Sequence, residues 1–353
     1  MSIEDTKMAS RPYRVVLDAN VWVAERLLHS SLGAALLYSL RSTGSLIVLP
    51  EVVEEEVLRV IAREGAEAVR SIENGFLTVQ ALTGHRPEFD LPKWEEFRAV
   101  SVDRFKELDA ILHRIPLTVA HCRSALRRVI DHTPPNETSE QFRDSLVWEA
   151  LLEIAPTNDV FLVTRDKRFY EEGKYPKGLA ITLRSEATAV GCAAAAFESL
   201  DAFLPAIQDR VPPPDYAKLA AAITLATADD LTSYASQRAL IVGDLLSHNV
   251  DAYLTERADV LALAFMLLFS LDESTIAQKP ELAGASLRAA GNCSFNLTTQ
   301  NASDVKIDQI QCVDADGSPI PGTGAHYVRV ESAIFGPREI PFKVRRKLDS
   351  EGA

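Results

Sequence analysis

Three aspartates stand at the ends of apolar segments in this 353-residue chain: Asp18 after YRVVL, Asp144 at the head of FRDSLVWEALLE, and Asp166 just past VFLVT. A fourth acid comes from the run Glu54, Glu55 and Glu56. Glu56, one turn from Val52 and next to apolar Val57, is the choice nearest a buried edge, with Glu55 in reserve. Carboxylates gathered at one place repel each other unless a cation neutralises them. Oxygen-only donors suit Mg2+ or Mn2+, which take few protein ligands and leave positions open for water and phosphate. Such a site can position and activate water for phosphodiester cleavage, and two ions would clamp the attacking and leaving oxygens. Arg143, Arg165, Lys167 and Arg168 lie within two residues of these acids and are candidates to meet substrate phosphate. Arg123, Arg127 and Arg128 fall on neighbouring turns and could form a basic stripe for an RNA backbone.

The elements that must carry these residues follow from hydrophobic period and breakers. Residues 13–17 and 45–49 are short apolar runs that predict strands, the second closed by Pro50. Residues 21–40 and 51–69 predict helices, the latter with Val53, Val57, Val60 and Ile61 on one face. Residues 76–82 suggest a further strand, 93–131 read as charged helix, and 141–154 as a helix opened by Asp144. Residues 160–164 predict a strand and 180–183 another. Strands separated by helices imply a mostly parallel α/β sheet, in which ligands gather outside the carboxyl ends of the strands. Asp18 and Asp166 stand at that edge, and Asp144 and Glu56 would face it.

Taken singly, each acid has a plainer reading. Asp18 or Asp144 could serve only a helix start, Asp166 could open a turn, and the three glutamates could be a solvated face. None of these explains why all four fall on one edge. LDAN at 17–20, LPEVVEEEV at 49–57, FRDSLVWEALL at 142–152 and FLVTRDKRFY at 161–170 together resemble, in order, the motifs of a PIN domain. The resemblance covers roughly residues 12–185 and looks like a larger bacterial member rather than a minimal toxin. PIN domains are metal-dependent nucleases, mostly endoribonucleases, and include toxins of bacterial toxin–antitoxin pairs. The resemblance implies that Asp18, Glu56, Asp144 and Asp166 bind metal and activate water. It also implies that Thr164 is the hydroxyl residue two places before the last acid, and that Asn20 supports Asp18.

Domain organisation is expected as a PIN-like α/β unit over residues 12–205, a Pro-rich linker at 206–214 around RVPPP, and a C-terminal α+β domain over 215–347. Within the last, 215–283 is Ala/Leu-rich and expected to be helical. Residues 285–347 show β-like alternation in SFNLTT and VKIDQIQCV. The C-terminal half offers no chemical constellation, and a role in self-association or in holding a regulatory protein is open to it. Lys343, Arg345, Arg346 and Lys347 are expected to be a solvated tail.

The formal net charge of −13 argues against a broad basic nucleic-acid-coating surface, so a nucleic acid, RNA in preference to DNA, would be admitted locally. Cys122, Cys192, Cys293 and Cys312 include no C-x-x-C pair, and the seven histidines show no zinc spacing. No phosphate-binding glycine loop and no G-x-S-x-G elbow is present. The N-terminal residues lack an apolar signal core, and the longest uncharged apolar run, Val260–Leu271, is 12 residues, short of a membrane span. A cytoplasmic protein without membrane contact is the expectation. Two rival readings compete with a nuclease. A Mg-dependent phosphatase of haloacid-dehalogenase type would want an acid where Asn20 stands. A catalytically silent nucleic-acid-binding or scaffold protein would have been free to lose its carboxylates.

Overall fold

The computed structural model of the protein describes residues 12–85, 91–136, 141–155, 159–208 and 215–324. Its N-terminal half is built on five parallel strands: β1 Arg14–Leu17, β2 Leu46–Pro50, β3 Leu112–Ile115, β4 Val160–Val163 and β5 Ala194–Phe197. Their order across the sheet is β3-β2-β1-β4-β5, so the strand order reverses at the centre, between β1 and β4. β1, β2 and β4 are buried along nearly their whole length, because helices cover both faces of a parallel sheet. That is why they read as unbroken apolar runs rather than as alternation.

Several expected elements differ. The helix expected over residues 21–40 is two helices, α1 Ala19–Ala24 and α2 Ser31–Thr43. Between them Arg26, Leu27 and Leu28 all take left-handed backbone, with φ of 51°, 55° and 63°. The guanidinium of Arg104 donates to the carbonyl of Leu27 at 3.1 Å and secures this turn. Ser30 then caps α2 through the Gly33 amide at 2.9 Å. A Cβ on Gly33 would stand 2.6 Å from the Leu28 Cα, so only glycine admits the turn so close to the helix.

The strand expected over residues 76–82 does not form. α3 runs unbroken from Glu51 to Thr83, 33 residues, because Ile72, Phe76 and Val79 continue a helical period and no breaker intervenes. The charged stretch read as helix divides into α4 Trp94–Glu107, the edge strand β3 and α5 Val119–Ile130. α6 Phe142–Ile154 is as expected. The strand expected over residues 180–183 is instead the start of α7 Ile181–Ala189. The sheet is completed by β5, an alanine-rich segment that pairs with the open edge of β4 and is followed by α8 Leu200–Ile207. There the pairing partner overrides alanine's helical preference.

The C-terminal half contains α9 Tyr216–Gln237, the short α10 Glu273–Gln278 and an antiparallel sheet of order β6-β7-β8-β9. Its strands are Val242–Leu254, Val260–Leu271, Ser286–Asn296 and Asn301–Val313. The helix expected across 215–283 is thus limited to α9 and α10, and β6 and β7 occupy the rest. Period two explains why β7 misled. Leu261, Leu263, Phe265, Leu267 and Phe269 face the core shared with α9, whereas Ala262 and Ala264 on the other face pack into the N-terminal core. A strand covered on both faces shows no alternation, and small residues on the second face let α2 approach. The segment RVPPP and the basic residues 343–347 lie outside the described residues.

The two halves are joined by buried polar contacts as well. Lys306 on β9, 4% exposed, places its ammonium 2.9 Å from Glu25, itself 4% exposed, and 3.1 Å from Asp308. The Ser31 hydroxyl donates to Asn292 Oδ1 at 2.9 Å. No described helix is long and apolar enough to cross a membrane.

Candidate active site

Asp18 is the N-cap of α1, immediately after the central strand, and its amide donates to the carbonyl of Val163 on the neighbouring β4 at 3.0 Å. This cross-strand bond places the first and last acids of the sequence motif side by side, where the sheet order reverses. The Thr164 hydroxyl donates to Asp18 Oδ2 at 2.6 Å, Asn20 Nδ2 donates to the same oxygen at 2.5 Å, and the Ala19 amide donates to Oδ1 at 2.7 Å. The Asp166 amide donates in turn to Thr164 Oγ1 at 3.0 Å, so one hydroxyl ties the loops after β1 and β4 together. Tyr170 and Tyr175 fix that second loop from below, donating to the carbonyls of Thr164 at 2.8 Å and Arg165 at 2.7 Å.

Asp144 enters from the first turn of α6 and interacts electrostatically with both Asp18 and Asp166. Burial pushes its carboxyl up to about 7, aided by the charge of Asp166 and opposed by Arg168. Burial also raises the Asp18 carboxyl, against the lowering hydrogen bonds from Thr164 and Ala19. Asp166 goes the other way. Burial pushes it up, but hydrogen bonds from the Arg168 side chain and backbone outweigh that and hold it below the usual carboxylate range. Asp144 Oδ2 is buried without a hydrogen-bond partner. The Arg168 guanidinium is 3.2 Å away, close enough for ionic attraction but not aligned to donate.

The three consecutive glutamates of α3 point to three different cations. Glu54 lies 3.3 Å from Arg114 and Glu55 lies 3.4 Å from Arg98 on α4, away from the aspartates. Glu56 is half-buried and bonded to Arg143, the residue before Asp144. Of the pair left open by the sequence, Glu56 is therefore the one on the aspartate side, but it is engaged by Arg143 rather than grouped with the three aspartates.

The four cations expected near phosphate are all engaged within the protein. Arg143 pairs with Glu56, and Arg168 with Asp166 and Asp144. Lys167 lies over the Tyr175 ring at 5.5 Å, and Arg165 is 3.9 Å from Asp308 of the C-terminal sheet. The expected stripe on α5 is not continuous. Arg123 and Arg127 are exposed, but Arg128 turns inward to Glu149 at 2.5 Å and Glu186 at 2.6 Å and is a structural residue. Asp308 and Lys306 were invisible to motif reading. Lys306 alternates with Val305 and Ile307, so by period two it reads as the polar face of β9, and only the packing of that face on Glu25 buries it.

Among the described residues, no three His, Cys, Asp or Glu side chains are grouped so as to hold a metal ion as they stand. The donor chemistry nonetheless fits a hard divalent cation. The converging atoms are carboxylate oxygens, two of the carboxyls are raised by burial and mutual repulsion, and one buried oxygen of Asp144 lacks a donor.

Among curated proteins, none matches the chain. A family model described as PIN domain matches residues 15–169, a span that begins in β1, contains all four acids and ends just beyond Asp166. The chain is therefore similar to PIN domains over residues 15–169, and beyond that span it adds a C-terminal antiparallel sheet.

Proposed function

We propose that the protein is a metal-dependent endonuclease that hydrolyses phosphodiester bonds in single-stranded RNA. The observation that carries this reading is the convergence of Asp18, Asp144 and Asp166 at the β1/β4 edge, where burial, and after it the charge of Asp166, raises Asp144 to about 7. The PIN domain adds family support, since PIN domains are usually nucleases.

Asp18, Asp144 and Asp166 would hold Mg2+ or Mn2+, with Glu56 joining them once released from Arg143. Bound there, the ion supplies water activation and stabilisation of the charge that builds on the phosphate. The chain's own residues then have separable tasks. Thr164 and Asn20, both bonded to Asp18 Oδ2, orient that carboxylate and leave Oδ1 to the α1 amide. Asp144, partly protonated near neutral pH without metal, must release its proton on loading. Arg143 and Arg165, half-exposed beside Glu56 and Asp308, would attract the nucleic-acid backbone.

The acidic chain admits substrate at this edge rather than over a broad face. RNA in preference to DNA rests on the family's usual substrate. A regulatory partner or a second copy would engage the C-terminal half, and the cytoplasm is the proposed compartment. The domains are proposed as residues 12–205 and 215–347. The test is cleavage of labelled single-stranded RNA and DNA in Mn2+, Mg2+ or EDTA. Metal-dependent cutting should be lost in Asp18→Asn and Asp166→Asn while their circular dichroism is unchanged. Full activity in either variant would refute the assignment.

A further inference from the structure

We propose that Arg168 is a built-in counter-ion that holds the carboxylate site in its metal-free state and competes with a divalent cation for the same oxygens. This rests on the cation-site reading above and adds to it a reason why the acids can converge without a bound cation. Arg168 Nε donates to Asp166 Oδ1 at 2.8 Å, and its own amide donates to that oxygen at 3.0 Å. The Nη2 group bonds Asp166 Oδ2 and reaches Asp144 Oδ2 at 3.2 Å. One guanidinium thus bridges two acids from different elements, the loop after β4 and the start of α6.

Arg143, Arg165 and Lys167 do not share this arrangement. Arg143 serves Glu56, Arg165 stands 3.9 Å from Asp308, and Lys167 stacks on Tyr175. Arginine keeps its charge at any physiological pH, so Arg168 leaves by rotation and not by losing a proton. Its side chain is 31% exposed, which gives it a path to solvent. A cation entering between Asp144 and Asp166 must break the Arg168 bonds and tolerate its charge until it moves. Arg168 therefore lowers metal affinity, the opposite of what a residue that merely props up the site would do.

The sign of the effect separates the two roles. Mn2+ is titrated calorimetrically into the full chain as wild type, Arg168→Gln, Arg168→Lys and Asp18→Asn, with circular dichroism reporting the fold of each. Arg168→Gln should bind Mn2+ about tenfold tighter, the order set by no longer having to break a hydrogen bond between charged groups. Arg168→Lys, which keeps the charge but not the fork, should fall between the two. Equal or weaker binding by Arg168→Gln, while wild type binds and Asp18→Asn does not, overturns the counter-ion role and leaves the metal site standing. Absence of Mn2+ binding in all four proteins overturns both.

Discussion

Replacing Asp144 by Asn should stabilise the metal-free protein while removing its capacity for metal. On folding, burial carries the Asp144 carboxyl from its ordinary value of 3.8 up to about 7. At 1.36 kcal/mol per unit this opposes folding by about 4 kcal/mol once the unfolded chain is ionised. Arg168 holds Asp166 below its usual range, an opposite contribution that makes about 4 kcal/mol an upper bound for the pair. The pH course follows from the sign of the shift. Below 3.8 both states carry the proton and the contribution vanishes. Between 3.8 and about 7 only the unfolded chain ionises, so stability falls as pH rises, and above about 7 the loss is complete.

Asn cannot titrate, so the advantage of Asp144→Asn should grow across that interval and level off near pH 8. At roughly 2–4 °C per kcal/mol for a chain of this size, thermal melts in EDTA should show a rise of several degrees at about pH 8 and almost none near pH 4. In Mn2+ the order should reverse, because only wild type gains stability from binding. A variant that melts below wild type in EDTA at about pH 8, or by an amount independent of pH, would refute the electrostatic reasoning.

Two further outcomes follow from the buried ion pairs. Arg128→Ala should cost about 3 kcal/mol or more in denaturant unfolding by stranding Glu149 and Glu186. It should leave RNA affinity unchanged, and a selective loss of RNA binding would restore the basic stripe. Lys306→Met should cost about 3–5 kcal/mol by leaving Glu25 buried and unpaired. Lys306→Met with Glu25→Gln should recover most of that, and strict additivity of the two in a double-mutant cycle would mean the pair is not coupled.

How much of this was legible in the sequence depended on distance along the chain. β1, β2 and β4 could be read because each is short, apolar and closed by a polar residue or proline. Asp18 and Asp166 could be placed because a residue just past a parallel strand lies at the sheet's carboxyl edge in any such fold. Asp144 was readable as a first-turn acid of α6. Residues 76–82 and 180–183 were misread because a short apolar run has no period of its own. Their helices were decided by continuity from α3 and by packing of α7. β7 was misread because α9 and α2 cover opposite faces and erase its alternation.

By itself, then, the chain determined which residues could form a hard-cation site and the order in which the fold presents them. These are consequences of local period, breakers and side-chain chemistry. Which glutamate of the three turns toward the aspartates was settled only by where Arg98, Arg114 and Arg143 stand, residues 43 to 87 positions away. The same holds for Arg128, whose partners lie on α6 and α7. It holds for Arg168, which reaches an acid from a separate helix, and for Lys306, joined to Glu25 across 281 residues. Charges pair according to the distance and desolvation that packing creates, and neither quantity is written in sequence spacing.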